Sequence, residues 1–196
     1  MHPSTLCLFL LISGNLIEDV MGYPNGAVTA ACTDMKPIHQ SFTAQSSTSP
    51  FRITASKSTY SPGDEITVTL QTSSVPFEGF LLQARTIGGV SAVGLFTPLN
   101  LTESQGLSCN GVANSAVSHT SDSQKTELHA NWTAPRNVNL GNITFSATFV
   151  QNLSIFWLNV RSDSITSTSS ASVILEMAQY PWLTLSLMSM SFFFRK

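Results

Sequence analysis

Charge is scarce in this sequence. Lys, Arg, Asp and Glu make up 10% of 196 residues, against about 25% in ordinary soluble domains. Nine Lys+Arg against eleven Asp+Glu leave a formal net charge of −2. That balance excludes a general nucleic-acid binder, which needs a basic surface, and a disordered chain held open by its own charge. Cysteine is scarce too: Cys7, Cys32 and Cys109. Their spacing contains no Cys-x-x-Cys pair, so neither a dithiol redox motif nor a zinc knuckle is present. There is no Gly-x-Ser-x-Gly elbow for a hydrolase nucleophile. Gly88-Gly89 and Gly94 lack the phosphate-loop pattern and read as a hairpin turn. No segment of residues 23–161 carries a helical period, and no internal repeat appears. What the chain does have is 42% hydrophobic residues, many Ser and Thr, and short alternating runs.

Both ends stand apart from the fold. Residues 4–17 are a mostly apolar run closed by Glu18 and Asp19, with His2 as the candidate positive side chain before it. The run is too short for a membrane span and reads as the core of a secretory signal peptide, residues 1–22. Val20 and Gly22 supply the small residues at −3 and −1, so cleavage is expected after Gly22. Residues 162–172 are a Ser/Thr-rich linker. Residues 173–196 form a hydrophobic tail, with eighteen uncharged residues from Met177 to Phe194 ahead of Arg195 and Lys196. Pro181 and Gln179 weaken it as a span. Three readings stay open: a single-pass anchor, a GPI signal with small residues near Ser169–Ala171, and an end with no evolved role. The chain is accordingly expected outside the cell, or on its surface if the tail attaches it.

Cys7 leaves with the signal peptide. In a secreted chain the two remaining cysteines most simply pair, Cys32 with Cys109, closing a loop of 78 residues counting both ends. Two free thiols are the alternative. Four Asn-x-Ser/Thr sequons, at Asn100, Asn131, Asn142 and Asn152, lack proline at the middle position and are expected glycosylation sites on the surface.

Strand signals dominate residues 23–161. Glu65–Leu70 alternates, with Ile66, Val68 and Leu70 on the core side. A Ser61-Pro62-Gly63-Asp64 turn precedes it. Gly79–Arg85 is more continuously apolar and fits a central strand. Thr126–Trp132 puts Leu128, Ala130 and Trp132 on one face and Glu127, His129 and Asn131 on the other. Ile143–Val150 turns Ile143, Phe145, Ala147 and Phe149 inward, and Ile155–Val160 returns as its hairpin partner. Phe51–Ser56, Val93–Phe96 and Ala116–His119 are weaker strands. About eight short strands with turns between them imply an all-β, antiparallel two-sheet sandwich.

Ordered landmarks along these strands resemble the reelin-type (reeler) domain family. They are Tyr23-Pro-Asn-Gly-Ala27, Cys32, Phe77-Glu-Gly-Phe-Leu-Leu-Gln-Ala-Arg85, Cys109, Ala116-Val-Ser-His119, Trp132-Thr-Ala-Pro135, Gly141-Asn-Ile-Thr-Phe-Ser-Ala-Thr148 and Phe156-Trp157. The resemblance runs from Tyr23 to about Arg161. It implies an immunoglobulin-like β-sandwich. Its nearest branches are the N-terminal domain of ferric-chelate reductase 1-like proteins and small insect defence proteins. The position before Gly79, often basic in the family, is Glu78 here, so an anion contact there is not carried over. Nothing after Arg161 resembles the DOMON or haem-bearing membrane domains of the reductase-like proteins.

The remaining chemistry-bearing residues read as structural. His119 and His129, near Asp122 and Glu127, fall short of the three or four ligands of a metal site. Trp132, Phe145, Phe149 and Trp157 read as core before pocket lining. Lys36, Arg52, Lys57, Arg85, Lys125, Arg136 and Arg161 are scattered and read as a solvated mixed surface. The expectation is a binding glycoprotein with no catalytic, cofactor or metal site. Its expected partner is an extracellular protein or glycan, not nucleic acid. The alternatives are a secreted defence protein that binds microbial surfaces and an accessory ectodomain of a ferric reductase system.

Overall fold

The computed structural model describes residues 22–39 and 41–168. The expected leader up to Met21, residues 169–172 of the linker and the tail lie outside the described residues.

Two antiparallel sheets pack face to face. The first has the order β1 (Phe51–Ala55), β3 (Glu65–Thr72), β8 (Glu127–Thr133), β5 (Leu95–Pro98). The second has the order β10 (Ile155–Arg161), β9 (Ile143–Asn152), β4 (Gly79–Thr86), β7 (Val112–His119), β6 (Ser104–Cys109). A short parallel pair, β2 (Thr59–Tyr60) with β11 (Thr166–Ser167), closes one end. This is the all-β sandwich that the alternation predicts.

The period-two side chains meet between the sheets. Ile66, Val68 and Leu70 of β3, Leu128, Ala130 and Trp132 of β8, and Ile143, Phe145, Ala147 and Phe149 of β9 are buried in one cluster. Trp132, Phe145, Phe149 and Trp157 all belong to it. The two indole N–H groups donate to the Val93 carbonyl at 2.8 Å and the Ser47 carbonyl at 3.1 Å, as buried tryptophans require. On the outward face of the first sheet, Thr67 donates to Asn131 and Thr69 meets His129 across the β3–β8 ladder, both at 2.9 Å. His129 also meets Glu127 at 3.0 Å.

The structure departs from the sequence reading in four places. Strand β6, Ser-Gln-Gly-Leu-Ser-Cys, was not legible because it has no apolar alternation. The pairs β2 and β11 are too short to give a period. Residues 86–89 do turn, with Gly89 N–H on the Thr86 carbonyl at 2.9 Å, but they make no hairpin. Strand β4 continues into β5, which pairs with β8 in the other sheet. Gly94 lies against the Trp132 indole there, where a Cβ would overlap it, and Phe96 is delivered into the core. Finally, the sandwich continues past Arg161 into residues read as linker. Ile165 is buried and bridges to Ile143.

Candidate functional site

Strand β4 is the middle of its sheet and is buried on both faces. Phe80, Leu82 and Ala84 enter the sandwich core. Leu81, Gln83 and Arg85 therefore point to the opposite face, and residues 22–39 cover them. This segment carries a single 3-10 turn, Thr29–Ala31. A second apolar cluster holds it down: Ala31, Cys32 and Met35 against Leu81, Leu107, Cys109 and Ala116.

Polar and covalent ties complete the attachment. Cys32 is bonded to Cys109 of β6, Cα to Cα 5.5 Å. Arg85 Nη2 donates to the carbonyls of Cys32 and Thr33, each at 2.9 Å, and Nε donates to Gln83 Oε1 at 2.9 Å. Gln83 Nε2 donates to the same Cys32 carbonyl at 3.0 Å. The guanidinium thus ties the carbonyl end of the short turn to the sheet. Burial, then the charge of Arg161, lowers the Arg85 pKa, with Asp34 opposing. Thr148 of β9 donates to the Met35 carbonyl. Met35 is buried at φ 56°, a left-handed backbone rare for a large side chain, and it persists because these contacts over-determine it.

The start of the segment is fixed by His119, at the end of β7. Its Nδ1 accepts the Phe80 N–H at 3.2 Å, which assigns the proton to Nε2, and Nε2 donates to the Tyr23 carbonyl at 3.0 Å. Burial lowers the His119 pKa, opposed by the Phe80 and Tyr23 carbonyls at the ring nitrogens, so the ring is neutral near pH 7. Gly26, at φ +67°, sits so close to the His119 carbonyl that a Cβ would overlap it. Gln105 Nε2 bridges the Asn25 and His119 carbonyls.

Between this strap and the sheet lies a cavity of about 200 Å³. Its walls include Tyr23, Val28, Met35, Leu81 and Val150, with Glu78 and Asp122 on its margin. His39 is also in the wall, edge-on to Phe156 at 5.5 Å. Burial lowers the His39 pKa, with a Leu153 backbone hydrogen bond opposing, and Nδ1 is buried without a hydrogen-bond partner.

Of the predicted site residues, Cys32 and Cys109 are joined as expected. Asn100 and Asn142 are exposed, and Asn131 and Asn152 are half-buried. Asn131 Nδ2 donates to Glu65 Oε1 at 2.9 Å, and Asn152 Oδ1 accepts from the Ser154 and Ile155 N–H groups at 3.0 Å. His119 and His129 are not brought together: they lie on different sheets with separate partners.

Two of the seven scattered basic residues are not on the surface. Arg85 is buried as described. Lys125 is 2% exposed, with Nζ donating to the carbonyls of Glu78, Ser121 and Ser123 at 3.0, 2.8 and 2.6 Å. Burial lowers its pKa, opposed by Glu103, Asp122 and Glu78. No periodicity marks a lysine that is spent on carbonyls, so sequence reasoning missed it. It missed the cavity for a similar reason: the walls come from segments far apart in the chain. Among the described residues no group of three His, Cys, Asp or Glu side chains converges on a metal-sized site.

A family model described as the Reeler domain matches residues 30–173. Putative ferric-chelate reductase 1 of Danio rerio is 42% identical over 184 residues, covering 89% of this chain and 31% of that protein. Ferric-chelate reductase 1 of Homo sapiens is 38% identical over 156 residues, covering 79% and 25%. Putative defense protein of Bombyx mori is 33% identical over 146 residues, covering 71% of this chain and 82% of that one. The chain thus spans less than a third of the length of these two reductase relatives. The crystal structure of the human F-spondin reeler domain superposes with a TM-score of 0.55 at 22% identity, covering 66% of this chain and 96% of the other, a likeness of fold. On the family match and these identities, the chain belongs to the Reeler domain family.

Proposed function

We propose that this chain is an extracellular glycoprotein that acts by binding, and that the cavity under the strap is its recognition site. The observation that carries this reading is the construction of the cavity. One disulfide, one buried arginine and one buried histidine hold a loop segment over a sheet so that an apolar pocket stands preformed. A preformed pocket loses less ordering entropy on binding than one that must assemble. The disulfide suits an oxidising compartment. The leader pattern of residues 1–22 and the four surface sequons support the same compartment.

The test is expression of the full chain in a secreting cell with a tag placed after Gly22. Tagged, glycosidase-sensitive protein in the medium, or on the cell surface before or after phospholipase treatment, is the expected result. Protein kept inside the cell without glycans and with reduced cysteines overturns the reading.

A second reading is a secreted defence protein recognising microbial surface polymers. The observation favouring it is the Bombyx mori relative, which this chain matches over 82% of that protein's length. Binding of the purified protein to whole bacteria, competed by their polysaccharide, is its test. Part of a ferric reductase system is the reading suggested by the reductase relatives. It requires haem, and a Soret band of the purified chain itself, or co-purification of a Soret-absorbing haem protein with it, decides it.

A further inference from the structure

The cavity has a size, a rim and a charge that together restrict what enters it. Pockets for whole drug-sized ligands run to about 300–1,000 Å³, and a dry engineered cavity of about 150 Å³ admits benzene. At about 200 Å³ this one holds a single ring or branched chain end. Its mouth stays apolar at the surface. Ile38 and Leu153 line it while 48% and 42% exposed. An apolar rim continuous with an apolar pocket suits a ligand that lies on the surface and inserts one group.

Carboxylates outnumber cations around the cavity. Glu78 and Asp122 line the cavity, and no Lys or Arg does among the described residues. The nearby ammonium of Lys125, held by three carbonyls, faces Glu78, Asp122 and Glu103 together, so one cation offsets only part of the carboxylate charge there. The unpartnered Nδ1 of His39 leaves the wall one hydrogen bond short.

Resting on the binding reading above, we propose that the cavity takes one large apolar side chain, aromatic or aliphatic, from a segment of a partner protein, with a Lys or Arg adjacent to that side chain. The apolar group fills the pocket and the adjacent cation faces Glu78 and Asp122. Anionic lipids and acidic polymers meet the same carboxylates and are repelled.

The experiment is calorimetric titration of the secreted protein, its N-terminus verified, with acetylated and amidated pentapeptides. The central triplets are Lys-Trp-Lys, Glu-Trp-Glu and Lys-Ala-Lys, and phosphatidylglycerol vesicles are the lipid arm. Lys-Trp-Lys is expected to bind. Replacing either its charges or its ring is expected to weaken binding at least tenfold. The exposed rim variant Leu153→Lys is expected to weaken it at least fivefold with an unchanged melting temperature, and Asp122→Asn is expected to weaken it at least threefold, with its melting temperature measured beside it because Asp122 also faces the Lys125 ammonium. Added salt is expected to lower the affinity for Lys-Trp-Lys. The proposal is overturned by no binding of Lys-Trp-Lys at millimolar concentration, by equal binding of Lys-Ala-Lys, or by preferential binding of the anionic vesicles. Equal binding of the lysine and glutamate peptides also overturns it, since the carboxylates would then be satisfied within the chain, for instance by the terminal ammonium of Tyr23 after processing. Each of these failures in a protein that is secreted and glycosylated removes the ligand class and leaves the extracellular reading standing.

Discussion

Gly26 and His119 hold the roof of the cavity by complementary means, one through what it lacks and the other through what it donates. A Cβ on Gly26 would overlap the His119 carbonyl, and φ is +67° besides. Gly26→Ala is therefore expected to destabilise the fold by at least about 2 kcal/mol. Gly111, at φ +79° with nothing within 4 Å of an added Cβ, isolates the backbone cost, and Gly111→Ala is expected to lose only about 1 kcal/mol. Urea denaturation of the two variants side by side measures the difference.

His119 gives a pH dependence of defined sign. Burial lowers its folded-state pKa below the unfolded value of 6.5, so the unfolded chain binds more protons in the window between the two. Stability is complete above pH 6.5 and falls as pH drops through that window. The slope is at most about 1.4 kcal/mol per pH unit for one histidine. Burial moves His39 the same way. Melting temperature between pH 7.5 and 5 is expected to decline in the parent and to decline less in His119→Gln, which starts lower because the contact to Tyr23 is weakened.

At the scale of elements, the strap of residues 22–39 depends on ties made elsewhere. The Cys32–Cys109 bond closes the long loop between the strap and β6, and the chain-entropy relation assigns such a loop about 4.5 kcal/mol. Cys32→Ser is expected to lose up to that amount. It is also expected to free the strap before the sandwich unfolds, because only apolar contacts and single side-chain hydrogen bonds, from Gln83, Arg85, Gln105, His119 and Thr148, then hold it. Limited proteolysis should cut the variant first within residues 22–39, with the sheets still folded.

The strands of the sandwich were legible because Ile66, Val68, Leu70 and their counterparts on β8 and β9 alternate against polar neighbours. The unbroken apolar start of β4 likewise announced a strand covered on both faces. Strand β6 was illegible because Gly106 and its serines offer no period, and it exists by pairing with β7. The sheet crossing after β4 was misread as a hairpin because glycines permit a turn without specifying which strand comes next.

At the scale of the molecule, the two outer faces differ. The strap covers the second sheet, and polar side chains cover the first, with Asn131 among them. All four sequons stand at accessible or half-buried positions. A glycosidase-induced mass shift, lost in steps through Asn→Gln variants at Asn100, Asn131, Asn142 and Asn152, is the expected signature of glycosylation. Asn152→Gln carries an added cost of about 1 kcal/mol, because Asn152 Oδ1 also caps the β9–β10 turn.

The sequence by itself determined the sandwich, since period two places half of each strand in a core whatever the connections. For the cysteines it supported an expectation only, resting on the loss of Cys7 with a leader, and the fold joins Cys32 to Cys109. Only the tertiary structure decided what lies on the far side of β4. There, Gln83, Arg85, His119 and Lys125 are buried, each donating at least one hydrogen bond to a carbonyl of a distant segment. A polar side chain reads as surface until the fold supplies its partner, and a cavity exists only once its walls have been brought together.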